Sequence, residues 1–427
     1  MSLKKFFESK IFRNSVWLTT GSAARSLVAA VTSILLARFL TQDSYGNLQF
    51  VVSVICVIQS LESFAYPNIV KKNILHFKHQ QFEIVSSAQK IIFFIYLPVV
   101  LVFALLYFLN FKLKFWSGEV LGMLFVASIG LLFSSLNPVG VWLDSQLDSK
   151  KSASIQFFAL LLSHTAKIFF AIFGFPLIWQ SFAISLQNFF HWISYRFIKK
   201  KVLKNNQKSS ENYTKLIFRQ SLPFFYSMLF LNILYKADQV ILGILSDSKT
   251  VAVYAAAVKL SEPWSNLIMG VVVSVFPGII EKAKESKEAM LEGFLRSLKW
   301  ITFLGLIMCL FVSFFADKLI MVIFGEAYLA SIPLLRLHIW ANLFTLWFYS
   351  QNVLEVELGL GKQLIYKSFF AAFLNIVLNL MLIPRYGAMG SVISTIIGYS
   401  FLGAFGNLFF QKSRFIFSLI IRSFFPW

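Results

Sequence analysis

The chain has 427 residues, 58% of them hydrophobic and only 14% charged, with a mean hydropathy of +0.72. A composition this apolar excludes a soluble globular protein and describes a polytopic membrane protein. The net charge of +20 would fit a nucleic-acid partner only if the cations gathered on a solvated face, so their placement along the chain decides its meaning.

The amino terminus, MSLKKFFESKIFRNS, is basic and amphipathic. It runs into the apolar stretch 16–40 without a small-residue cleavage site, which reads as an uncleaved signal-anchor helix. Twelve segments are long enough to cross a hydrocarbon core of about 30 Å. They lie near 14–39, 46–70, 91–109, 120–143, 153–173, 177–198, 218–245, 252–279, 298–316, 332–358, 365–383 and 388–410. Residues 74–90 mix Phe77, Phe82 and Ile84 with His76, Lys78, His79 and Gln80, a pattern that predicts a helix on the membrane surface. The apolar tail 415–421 is too short to span and is expected at the cytoplasmic interface. Cys56 and Cys309 sit inside apolar runs and read as small packing residues, not a disulfide, metal or redox pair.

With the amino terminus inside, the cytoplasmic segments hold 28 of the 39 Lys and Arg residues against seven outside. That asymmetry is the positive-inside rule, which accounts for the basic charge without nucleic acid and places both termini in the cytoplasm. The chain also repeats itself. Tyr45 after Leu40-Thr41-Gln42-Asp43-Ser44 is echoed by Tyr254 after Leu245-Ser246-Asp247, Tyr66-Pro67-Asn68-Ile69 by Phe276-Pro277-Gly278-Ile279, and the run from Leu143 to Lys151 by that from Leu354 to Lys362. The offsets cluster near 210 residues. Three landmarks in one order at one spacing predict an all-α fold of about twelve transmembrane helices in two pseudo-symmetric six-helix lobes. The expected lobes are 1–198 and 216–427, joined by the basic cytoplasmic linker 199–215.

The Asp238-Gln239-Val240-Ile241-Leu242-Gly243 run, the turn into Val253-Tyr254-Ala255-Ala256-Ala257, Phe324-Gly325-Glu326-Ala327-Tyr328, and Tyr386-Gly387-Ala388-Met389-Gly390, set in the twelve-span plan, resemble Wzx-type polysaccharide (O-antigen) flippases of the multidrug/oligosaccharidyl-lipid/polysaccharide exporter superfamily. The resemblance implies alternating-access movement of an undecaprenyl-pyrophosphate-linked oligosaccharide across the bacterial inner membrane for surface polysaccharide biosynthesis. It implies a transporter and not an enzyme, with no cofactor and no metal. The expected partners are the lipid-linked oligosaccharide, membrane lipids and a polysaccharide polymerase, with the protein itself a monomer.

The residues agree with an anionic substrate. A diphosphate crossing a low-dielectric layer needs fixed cations, and Arg25, Lys167, Lys236 and Lys259 all stand inside predicted spans. Arg25 and Lys236 are 211 residues apart and so occupy near-equivalent places in the two repeats, which marks them first as substrate-binding residues on a central cavity. The competing reading is internal pairing, either Lys259 with Glu262 one turn on, or Lys236 with an acid on another helix, since Asp238 at i+2 points away from it. Asp238, Glu62 and Glu262 are the ion-coupling candidates, and neutralising a nearby cation is their structural alternative. His164 reads as a packed histidine. His76, His79 and Glu83 read as a solvated face, not a metal site.

Two other function classes remain open on the sequence. A cation-coupled drug antiporter of the same superfamily should concentrate acids in its cavity, whereas the deep cations here match or outnumber the acids. A membrane glycosyltransferase or polymerase needs a larger extramembrane region than the longest outside connection, about 317–331.

Overall fold

The computed structural model describes residues 10–114, 116–202, 212–264 and 286–425. The Phe276–Ile279 landmark, the end of the eighth predicted span and the linker from 203 to 211 lie outside the described residues.

The predicted spans are helical over most of their described lengths, with interruptions inside several of them. The first is α1 (Lys10–Phe39). The second begins as α2 (Gln42–Gln59), narrows to a 3-10 turn at Ser60–Ala65 and resumes as α3 (Pro67–His76). The break is local chemistry. Pro67 supplies no N–H and pushes Tyr66 into an extended conformation at φ −53°, ψ 126°, so the helix stops before it and restarts with proline at its first turn.

The predicted surface helix 74–90 is not formed. α3 ends at His76, a turn follows, and α4 (Gln81–Leu113) runs unbroken through residue 90 into the third span. Ile84, Val85 and Ala88, assigned to the interface by their mixed surroundings, are fully buried against protein. Their neighbours are helices, not headgroups. At the far end of α4 the Asn110 side chain closes the loop, accepting from Trp116 N–H at 2.9 Å and donating to Trp116 O at 3.1 Å.

The fourth span is also broken: α5 (Gly118–Phe133), a 3-10 turn at Ser134–Leu136, then α6 (Asn137–Ser145) with Pro138 in its first turn. α7 (Ser149–Ile172) and α8 (Ile178–Val202) complete the first half, and α9 (Tyr213–Leu245) follows. After a two-residue turn, α10 covers residues 248–264. Asp247 caps it, accepting from Thr250 N–H at 2.7 Å, and that bond holds its carboxyl below the usual carboxylate range. Next come α11 (Lys287–Ile323), α12 (Ser331–His338), α13 (Ala341–Glu357), α14 (Gly361–Tyr386), α15 (Ala388–Gly403) and the amphipathic α16 (Arg414–Arg422).

Among the described residues eight helical segments are long and apolar enough to cross a membrane. Contacts divide the chain into two compact units, Met1–Leu40 with Ile58–Met228, and Thr41–Val57 with Leu229–Trp427. The division falls inside α2 and α9.

The first unit is knit by α1 against α7 at small residues, where a Cβ on Gly21 would sit 3.2 Å from that of Ala153. In the second unit α2 lies on α10 at Gly46, where a Cβ would come within 1.8 Å of the Ser248 carbonyl oxygen. Ser248 Oγ also donates to Asn47 Oδ1 at 2.6 Å. Only a residue without a side chain allows that approach.

One cation counted as cytoplasmic is not at the surface. Lys367 on α14 is completely buried, ion-paired with the equally buried Glu355 of α13 and donating to Asn407 Oδ1 at 2.9 Å. Asn407 in turn donates to Gln351 Oε1 at 2.7 Å. Burial without that carboxylate and amide would cost several kcal/mol.

Candidate functional site

Four of the charged residues predicted to lie in spans, Lys236, Asp238, Lys259 and Glu262, gather on α9 and α10 of the second unit. In the second unit the centre is Asp238 on α9, which is 3% exposed. Its carboxylate accepts from Tyr254 Oη on α10, from Thr395 Oγ1 on α15 at 3.2 Å, and from the Gln239 backbone N–H at 2.7 Å. Three donors satisfy it, and the bonds tie α9, α10 and α15 together. Gln239 beside it accepts from Ser53 Oγ on α2.

Lys236, two residues earlier on α9, points elsewhere. Its ammonium meets Glu262 on α10 at 3.2 Å, with side chains 19% and 37% exposed. Lys259, one turn before Glu262, is half-buried within electrostatic reach of both. Of these three part-exposed charges two are cationic, because Asp238 is sealed away. Tyr235 and Tyr349 stand beside the pair with their hydroxyls 3.3 Å apart, and Ser261 is held by His338 Nδ1 at 2.9 Å and by Asn342.

In the first unit Arg25 is half-buried on α1, with Asp144 of α6 and Tyr195 of α8 acting on it electrostatically. Asp144 accepts from Ser149 Oγ at 2.7 Å. Lys167 is not brought to Arg25. Arg25 Nη1 lies 3.4 Å from where a Cβ on Gly21 would sit, beside Ala153, which is fourteen residues before Lys167 on α7. Glu62 lies in the 3-10 break of the second span, where Asn137 Nδ2 approaches its two carboxylate oxygens at 3.4 and 3.5 Å. Ser134 and Tyr96 also bond to it.

Sequence reasoning named the charged residues but not their partners. Tyr254 and Thr395 reach Asp238 from 16 and 157 residues away, and no periodicity encodes such pairs. The Asn137-Pro138 dipeptide was the one signal for the break opposite Glu62.

Comparison with known proteins places this fold. Residues 11–283 match the family described as "Polysaccharide biosynthesis protein". A stretch of 122 residues is 29% identical to an uncharacterized membrane protein of Methanocaldococcus jannaschii, covering 28% of this chain and 23% of that protein, so the match spans under a quarter of its relative. Among solved structures the chain resembles a multidrug resistance MATE family transporter of the MOP superfamily in an inward-facing conformation, with a TM-score of 0.71 and 14% identity over 93% of this chain and 96% of that one. It equally resembles the lipid II flippase MurJ in an inward closed conformation, with a TM-score of 0.72 and 13% identity over 96% of this chain and 91% of that one. At such identities the likeness is one of fold. Because the family match covers well over half of its residues, this chain, a multi-pass helical membrane protein with the fold of MOP-superfamily transporters, belongs to the polysaccharide biosynthesis protein family.

Proposed function

We propose that the protein is a flippase, not an enzyme, that moves a lipid-linked oligosaccharide across the cytoplasmic membrane for surface polysaccharide biosynthesis. The family match supports the pathway, and the fold shared with MATE and MurJ supports transport. The observation that carries the substrate class is the cationic excess among part-exposed charges at membrane depth. Lys236 and Lys259 face one Glu262 in the second unit, and Arg25 is half-buried in the first. A fixed cation in a low-dielectric setting stabilises a diphosphate, and a guanidinium does so with two parallel bonds. We assign the undecaprenyl-pyrophosphate head of the substrate to Arg25 and Lys236. Lys259 is an auxiliary cation, and Lys167, well along α7 from Arg25, is a contact for a different part of the substrate. The proposed lobes 1–198 and 216–427, both termini in the cytoplasm, a monomeric protein and a polymerase that receives the product belong to the same reading.

A cation-coupled drug antiporter fits the MATE likeness on fold alone. The charge balance argues against it, since a cationic drug would be repelled by Lys236 and Lys259. The test is complementation of a flippase-null strain. Arg25→Ala and Lys236→Ala should express and fail to restore surface polysaccharide, Arg25→Lys should retain part of the function, and Lys249→Ala, in an exposed pair with Asp43, should be silent. Full complementation by the Arg25→Ala, Lys236→Ala double variant would sink the assignment.

A further inference from the structure

Three tyrosines meet beside the Lys236 and Glu262 pair, one from each of three helices of the second unit. Tyr235 precedes Lys236 on α9, Tyr349 lies on α13 and Tyr399 on α15. The Tyr235 and Tyr349 hydroxyls are 3.3 Å apart, and the Tyr235 and Tyr399 rings meet edge to face with centroids 5.5 Å apart. Packing behind them fixes this arrangement. Each tyrosine has a buried residue as its neighbour in the chain, Leu234, Phe348 and Gly398 in turn, and Leu234 and Phe348 belong to one apolar core with Ala371, Ala372 and Leu402. Gly398 lets α15 come close, since a Cβ there would lie 2.9 Å from Leu234 Cδ1. A larger residue would push α15 from α9 and part the two rings.

The rings are not sealed in. All three tyrosines are partly exposed, as are Lys236 and Glu262, and Tyr235 and Tyr399 both lie within electrostatic reach of Glu262. Tyr349 stands at the middle of α13 and Tyr235 within two turns of the middle of α9, which puts the phenols at membrane depth. A phenol there cannot face acyl chains without stranding its hydroxyl, and at lipid-facing positions this chain uses phenylalanine, as at Phe303, Phe314 and Phe373, all more than half exposed. The hydroxyls have bonds to spare. One bond joins Tyr235 to Tyr349, and among the described residues the Tyr399 hydroxyl makes none, so two protons and several lone pairs are left for another group.

The chemistry matches the next group along the substrate. If Lys236 holds the diphosphate, the group bonded to that diphosphate is a sugar. A pyranose presents an apolar face of C–H groups, which lies on an aromatic ring, and a rim of hydroxyls that donate and accept. A phenol offers both surfaces on one side chain. An acyl chain has no use for the hydroxyls, and a cationic drug would be repelled by the two lysines.

We propose that Tyr235, Tyr349 and Tyr399 form a sugar subsite next to Lys236, taking the pyranose attached directly to the diphosphate. It deepens the flippase reading and rests on it. The subsite selects among hydroxyl patterns on that first sugar, because a sugar lacking the matching hydroxyl leaves a phenol unpaired.

The experiment is equilibrium binding to the purified full-length protein in lipid nanodiscs. The probes are farnesyl diphosphate, and farnesyl diphosphate carrying N-acetylglucosamine or galactose. The quantity read is the ratio of the bare to the glycosylated dissociation constant, in which partitioning of the farnesyl chain into lipid cancels. The parent should bind at least one glycosylated probe more tightly than the bare diphosphate. Tyr349→Phe and Tyr399→Phe, which keep the ring and remove the hydroxyl, should each lower that ratio about 2- to 10-fold, the worth of one neutral hydrogen bond, with bare-probe affinity and unfolding temperature little changed. Tyr399→Leu removes the ring as well and should abolish the preference. Lys236→Ala should weaken all the probes by one factor and leave the ratio intact. A parent without preference, or tyrosine variants that keep the full ratio or weaken bare and glycosylated probes alike, would overturn the subsite. Bare-diphosphate binding that survives Lys236→Ala unchanged overturns the diphosphate assignment instead, so the two failures are read on different probes. A parent that binds none of them overturns both.

Discussion

Lys236 and Glu262 meet at 3.2 Å across α9 and α10, and the pair is only partly shielded from solvent. A pair in that position stabilises less than a buried one, and Lys259 stands close enough to compensate Glu262 when Lys236 is removed. Lys236→Ala should therefore cost about 1–2 kcal/mol, well below the 3–5 kcal/mol of a fully buried pair. Removing both charges in Lys236→Ala, Glu262→Ala should recover most of that loss in thermal unfolding yet still fail to restore polysaccharide. If transport returns in the double variant, Lys236 serves only to neutralise Glu262.

The Lys367 and Glu355 pair makes the opposite case. Both side chains are fully buried, and the Asn407 to Gln351 chain behind them joins α13 to the segment that follows α15. Glu355→Ala or Lys367→Ala alone strands a charge and should destabilise by about 3–5 kcal/mol. A Glu355→Leu, Lys367→Met double variant should return to near the parent stability, because apolar residues of similar size fill the site without desolvation cost. Unfolding curves of the three variants in one detergent decide it. Equal losses in single and double variants would show that packing, not charge, holds this place.

These two pairs mark how far the sequence could be read. Hydropathy and helix length gave the spans because lipid imposes one simple rule on every crossing segment. They gave no partner for Lys367, which at six residues from the start of α14 looks like an ordinary cytoplasmic flank. The breaks at Tyr66-Pro67 and Asn137-Pro138 were visible as prolines, yet nothing local says that they face each other across Glu62. Asp238 was legible as a costly charge, while Tyr254 and Thr395 were not legible as its donors, since contacts of that sequence separation depend on how helices stack. The interfacial reading of 74–90 failed because a mixed polar and apolar stripe looks alike whether its apolar face meets lipid or another helix.

Gly46 predicts a packing failure of a different kind. Its Cα lies against the Ser248 carbonyl, so even one methyl group must push backbone aside. Gly46→Ala should loosen α2 from α10, break the Ser248 to Asn47 hydrogen bond, and lower stability by about 1–3 kcal/mol, the usual cost of overpacking. A cysteine at Asn47 should then react faster with an impermeant thiol reagent than it does with Gly46 intact. An unchanged rate and unchanged unfolding would mean that the two helices do not need this contact.

The orientation of the chain can be decided on one helix. α9 spans 33 residues, about 50 Å, and is long and apolar enough to cross the hydrocarbon core once. Lys201, exposed at the end of α8, precedes it, and Lys249, exposed at the start of α10, follows it. With α9 crossing once, the two lysines fall on opposite sides of the membrane. The cation asymmetry assigns Lys201, beside Lys199 and Lys200, to the cytoplasm. In intact cells an impermeant thiol reagent should therefore label a cysteine at Lys249 and leave one at Lys201 untouched until the membrane is permeabilised. The reverse pattern would invert the proposed topology and with it the direction of transport. Labelling of both in intact cells would mean that α9 does not cross.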